Sequence, residues 1–241
     1  MDHETLVRLI SFWRRNFFIE PILILTFIFC FFVGLFYHHR QKERFFFLFY
    51  FFIGIALFTV SSPLVLFKIY DGRERIVASE AANTIFEVLE FIAFYFFFQK
   101  CIQNRNWKKL IKLFLISFLM LVSAFSLALT FPNYLPENIG KHSLYINVIE
   151  FLFLFIICLG YFYELFVTAP KTKLSERPSF FIVTSAFFYS ILMIPFFMMA
   201  EDIFFSDKPS YYILFSFHFV LLMTLLITTV KTFFNRTPIS T

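Results

Sequence analysis

Long runs of apolar residues, each closed by a short polar segment, recur along the whole chain. Seven of them, at 17–37, 45–67, 81–98, 110–130, 144–168, 179–199 and 211–234, reach the ~20 residues that a helix needs to cross ~30 Å of hydrocarbon. The polar segments between them are too short to hold another domain. The pattern predicts an all-α, polytopic membrane protein, a seven-transmembrane helix bundle at 17–234 with a short tail at 235–241. Ahead of the bundle, in 1–16, Leu6, Leu9, Ile10 and Trp13 share a helical face with Phe17, while Arg8, Ser11, Arg14 and Arg15 lie elsewhere. That distribution predicts an amphipathic helix in the headgroup region. Arg14-Arg15 before an apolar run is similar to a twin-arginine export signal, yet no small-residue cleavage site follows, so an uncleaved anchor is expected.

Charge orients the bundle when Lys and Arg are counted in alternate loops. Thirteen fall on one side, among them Arg40, Lys100, Arg105, Lys109, Lys112, Lys171 and Lys231, against eight on the side that includes Arg14, Arg73, Lys141 and Lys208. The basic side is expected to be cytoplasmic, which puts the N-terminus outside and the C-terminus inside.

Composition agrees. With 60% hydrophobic and 15% charged residues, the chain lacks the polar surface of a soluble protein, and lipid takes the place of water. The 44 phenylalanines fit the codon usage of an AT-rich genome, and a multi-pass protein of a bacterial cytoplasmic (inner) membrane is the expectation. Cys30 and Cys158 sit inside spans and Cys101 at the end of one, with neither a disulfide framework nor metal-ligand spacing. No metal or cofactor is expected.

Polar residues within the spans carry the chemical information, because an ionisable side chain at mid-bilayer costs at least ~2.5 kcal/mol and needs a partner or a wet cavity. The third span has Asn83, Glu87 and Glu90 at i, i+4 and i+7, one helix face. The fifth repeats the spacing with Ser143, Asn147 and Glu150, and Glu87-Val-Leu-Glu90-Phe91 aligns with Asn147-Val-Ile-Glu150-Phe151 without a gap. His218 stands at a similar depth in the seventh. The three spans should run in the same direction and gather Asn83, Glu87, Glu90, Asn147, Glu150 and His218 into one ligand- or proton-binding cluster. Three carboxyl groups cannot all be ionised there without a cation among them; protonated His218, a bound cation or an amine ligand would serve. At the opposite helix ends, Tyr161, Tyr163 and Glu164 read as interfacial anchors.

Known chemistries find little support. There is no lysine in the middle of the seventh span for a retinal Schiff base, no His-Glu-x-x-His, no Gly-x-Ser-x-Gly and no Gly-rich phosphate loop. Neither an enzyme nor a nucleic-acid partner is expected.

The run from Glu150-Phe151 to Tyr161-Phe162-Tyr163-Glu164-Leu165-Phe166, with Leu174-Ser175-Glu176-Arg177-Pro178-Ser179-Phe180-Phe181 and Tyr189 after it and Glu87 to Phe98 before it, resembles a group of small uncharacterised seven-helix membrane proteins of Bacteroidetes-type bacteria. The architecture is also similar to the seven-helix input regions of bacterial sensor kinases. The group implies no particular activity; the sensor-like architecture, taken with the intramembrane acids, gives as one class an integral membrane sensor or adaptor, in contact with the lipid bilayer, that binds a small ligand, cationic if it sits among those acids, and signals through a separate cytoplasmic protein. The other class the residues allow is a small proton-coupled or cation transporter working through the intramembrane Glu/Glu/His cluster. Transporter repeats would relate the third span to the seventh, whereas the match found here is third to fifth, which favours the sensor.

Overall fold

The computed structural model describes residues 19–38, 47, 51, 54–55, 72–129, 136–168, 174, 177–206 and 208–234. The elements among these residues are six helices: α1 (Ile19–His38), α2 (Gly72–Cys101), α3 (Arg105–Leu129), α4 (Pro136–Thr168), α5 (Pro178–Ser206) and α6 (Lys208–Phe234). Four stretches, Ala81–Cys101, Arg105–Ala128, Leu144–Thr168 and Ser179–Met199, are long and apolar enough to cross a membrane. They coincide with the third to sixth predicted spans, and α1 and α6 occupy the first and seventh. The N-terminal amphipathic segment, the tail and most of the second span lie outside the described residues. Of that span, Phe47, Phe51, Gly54 and Ile55 are helical.

Side-chain contacts fix the helix directions. Phe151 meets Tyr189, Phe155 meets Phe187 and Phe162 meets Phe180, so one number rises as the other falls and α4 and α5 are antiparallel. Met193 meets His218 while Phe181 meets Lys231, which makes α5 and α6 antiparallel too. Between α2 and α4 the sense is opposite. Glu90 neighbours Glu150 and, farther along α4 and just past the end of α2, Gln103 bonds to Glu164. Helices α2, α4 and α6 therefore run in one direction, as the matched depths of their polar residues require.

Phenylalanine builds the interior. Phe27, Phe47, Phe51, Phe91, Phe97, Phe98 and Phe118 are fully or almost fully buried; most pair edge-on or tilted, as Phe27 with Phe86 and Phe91 with Phe118, and Phe47 stacks on Phe51. Other apolar side chains, such as Leu25, Phe36, Phe166 and Met198, are more than half exposed, and hydrocarbon is the solvent that suits them. Two glycines permit close packing. A Cβ on Gly160 would lie 2.6 Å from Cε3 of Trp107, and one on Gly54 would lie 2.5 Å from Cε1 of Phe27, so α3 sits on α4 and α1 on Gly54 at distances closed to any larger residue.

One end of the bundle is fastened by polar groups. Asn104 caps α3, its Oδ1 accepting from the amides of Asn106 and Trp107 at 2.9 and 3.3 Å. The Glu164 carboxylate, reaching over from α4, accepts from the amides of Gln103 and Asn104 at 2.6 and 3.1 Å. Tyr161 shares a buried 3.0 Å hydrogen bond with Ser179 at the start of α5. Tyr161 and Glu164 thus tie helices together rather than anchor at an interface. Tyr163 is exposed.

Candidate functional site

Glu87 and Glu90 on α2 and Glu150 on α4 are buried, with relative exposures of 6, 3 and 1%. The one-turn spacing of the first two keeps both on the α2 face that meets α4, and the shared direction of the helices brings Glu150 to their level. Glu90 and Glu87 are the acidic neighbours of Glu150. The phenol of Tyr189, from α5, has the same three acids around it.

Tyr189 also connects the acids to His218. Its ring stacks on the imidazole at 5.7 Å, with the planes 25° apart. Phe196 and Phe197 of α5 and Phe219 of α6 complete the aromatic surround, and His218 Nδ1 lies 2.9 Å from the sulfur of Met193. Phe151, adjacent to Glu150 in the chain, stands edge-on to Tyr189 at 5.0 Å and stacks on Phe197 at 5.6 Å. Side chains from α2, α4, α5 and α6 therefore converge on one level of the bundle.

Two oxygens there are unusual. Glu150 Oε2 and Thr84 Oγ1 are buried and have no hydrogen-bond partner among the described residues. Many other helix hydroxyls bond to carbonyls one turn back, as Thr26, Ser123, Thr168, Ser190, Thr224 and Thr229 do, although Thr184 Oγ1 in α5 has no partner among the described residues either. Thr84 lies one turn before Glu87. An orphaned buried oxygen costs about 1–3 kcal/mol, so such positions point to a proton, a water molecule or a ligand that satisfies them.

The remaining predicted members sit at the edge. Asn147, aligned in sequence with Glu87, is half-buried one turn from Glu150, and Asn83 is exposed. The α2 face that is closed at Glu87 and Glu90 has opened at Asn83, so Asn83 marks the rim of the cluster and not its interior. Among the described residues no three or more His, Cys, Asp or Glu side chains are arranged to hold a metal ion. Sequence reasoning missed Tyr189; the available signal was a hydroxyl-bearing aromatic in the middle of the sixth span. No known protein family, no curated protein and no solved structure matches the chain.

Proposed function

We propose that the chain is a seven-helix, multi-pass sensor or adaptor of a bacterial inner membrane, with its N-terminus outside and C-terminus inside, akin to small seven-helix membrane proteins of Bacteroidetes-type bacteria. Uptake of positive charge at Glu87, Glu90 and Glu150, as a proton or a small cation, is the input. The output is a shift between the α2–α4 pair and the α5–α6 pair, read by a separate cytoplasmic protein. The observation that carries this reading is Glu150, 1% exposed, with an orphaned oxygen, two acidic neighbours and a path of ring contacts through Tyr189 to His218. A charge change there alters the balance of attraction and repulsion among four helices at once, and a ligand that binds the two arrangements unequally shifts their populations.

The test is a distance measurement between spin labels on Lys100→Cys and Lys231→Cys, both exposed near the same end of the bundle, in a background lacking Cys30, Cys101 and Cys158. The reading predicts a distance distribution that changes with pH or cation in wild type and is fixed in Glu150→Gln. A distribution indifferent to both in wild type sinks it. A second reading, proton-coupled or cation transport, draws on the opening at exposed Asn83 one turn from buried Glu87. Solute flux into liposomes under an imposed pH gradient, present in wild type and lost in Glu150→Gln, would replace sensing with transport.

A further inference from the structure

Helix α3 has two unlike faces. Trp107, Ile111, Phe118, Val122 and Phe125 point into the bundle, half-buried or buried. On the opposite face Arg105, Lys109, Lys112, Ile116, Met120, Ser123 and Leu127 follow at steps of three or four, and all are exposed. One unbroken stripe is thus cationic over its first two turns and apolar over the next four.

The apolar part is slightly hollowed. Ile116, Leu119, Met120, Ser123, Ala124 and Leu127 line a shallow groove that is open along its length. Its single side-chain hydroxyl, on Ser123, is satisfied by the Leu119 carbonyl at 2.7 Å, so the groove offers a ligand only hydrocarbon. From Ile116 to Leu127 it extends ~16 Å at ~1.5 Å per residue, close to the ~15 Å hydrocarbon depth of one leaflet. At its cationic end the nearby acid, Glu164, directs its carboxylate to the amides of Gln103 and Asn104. The α3 N-terminus is itself capped by Asn104. The charge of Arg105, Lys109 and Lys112 therefore faces outward, at the level where a headgroup would lie.

We propose that this face of α3 is a binding site for an anionic phospholipid, whose phosphate sits on Arg105, Lys109 and Lys112 and one of whose acyl chains lies in the groove. Charge complementarity selects the headgroup, and the groove on the same face, one leaflet deep, selects a lipid over a soluble phosphate. An acidic protein segment would satisfy the cations but leave the groove unfilled.

The test uses the full-length protein in neutral detergent, titrated with phosphatidylglycerol, phosphatidylcholine, glycerol phosphate or inorganic phosphate, with bound lipid counted by native mass spectrometry and thermal stability followed in parallel. Phosphatidylglycerol should bind and stabilise preferentially, and the preference should fade with salt. The triple variant Arg105→Gln/Lys109→Gln/Lys112→Gln should weaken that binding about a hundredfold, at roughly a fivefold step per cation. Ala124→Trp fills the groove while keeping the charge; it should lower retention of phosphatidylglycerol without changing the fold, and it serves if the triple variant does not fold. Equal binding of both lipids, no loss in either variant, or equal stabilisation by glycerol phosphate or inorganic phosphate would overturn the proposal. An acidic peptide that displaces phosphatidylglycerol from wild type and binds Ala124→Trp as well as wild type would assign the cations to a protein partner instead.

Discussion

Glu90 of α2 and Glu150 of α4 are buried acidic neighbours on helices that run in the same direction, and thirteen and fourteen residues farther on, just past the end of α2, Glu164 of α4 holds the amide of Gln103. The pair is thus braced at one end, by the turn between α2 and α3.

Glu164 should be essential to that brace. Its carboxylate accepts two amide hydrogen bonds, each worth about 1.5–3 kcal/mol when the acceptor is charged. Glu164→Ala should lower the unfolding temperature and speed hydrogen exchange at the Gln103 and Asn104 amides, with Glu164→Gln intermediate. Exchange at those two amides equal to wild type in Glu164→Ala would show that the brace is not formed.

Gly160 makes a steric prediction. A methyl group there would press on the indole of Trp107, and overpacking of this kind costs about 1–3 kcal/mol. Gly160→Ala should destabilise the protein in detergent, and Trp107→Leu should recover part of the loss in the double variant. Strict additivity of the two losses would contradict the contact.

How much of this was legible in the sequence differs from residue to residue. Glu87, Glu90, Glu150 and His218 stand out in any apolar span because their burial has to be explained, and their spacing correctly set the helix directions. Tyr189 does not stand out. In a chain with 44 phenylalanines one more aromatic reads as packing, and its place between the acids and the imidazole depends on how α5 crosses α4. Asn83 shows the opposite failure, since helical periodicity puts it on the same face as Glu87 but carries no information about where the neighbouring helices stop covering that face. Glu164 sits 61 positions from Gln103, and a contact at that separation belongs to tertiary structure alone.

Topology has a direct chemical test. Asn106→Cys, exposed in the turn region of α3, should be shielded from an impermeant thiol reagent in intact cells and modified after permeabilisation, while Asp207→Cys should be modified in both. The reverse pattern would invert the bundle.

Stability separates a working site from a structural one. If Glu150 only held helices together, Glu150→Gln would cost about 1–3 kcal/mol. A working site instead carries its buried, incompletely satisfied carboxyl group at the expense of stability, so replacing that group with a neutral amide costs nothing or gains. The expected result is an unfolding temperature in Glu150→Gln equal to or above that of wild type; a marked drop would assign Glu150 to packing.

The central claim is that Glu87, Glu90 and Glu150 form one coupled site, and infrared difference spectroscopy of the carboxyl bands across a pH step addresses it most directly. Coupled groups titrate as a unit, so removing any one carboxyl, as in Glu87→Gln, Glu90→Gln or Glu150→Gln, should shift the titration of the bands that remain, and Tyr189→Phe should perturb all three. Three substitutions that each delete one band and leave the other two titrating as in wild type would contradict the account.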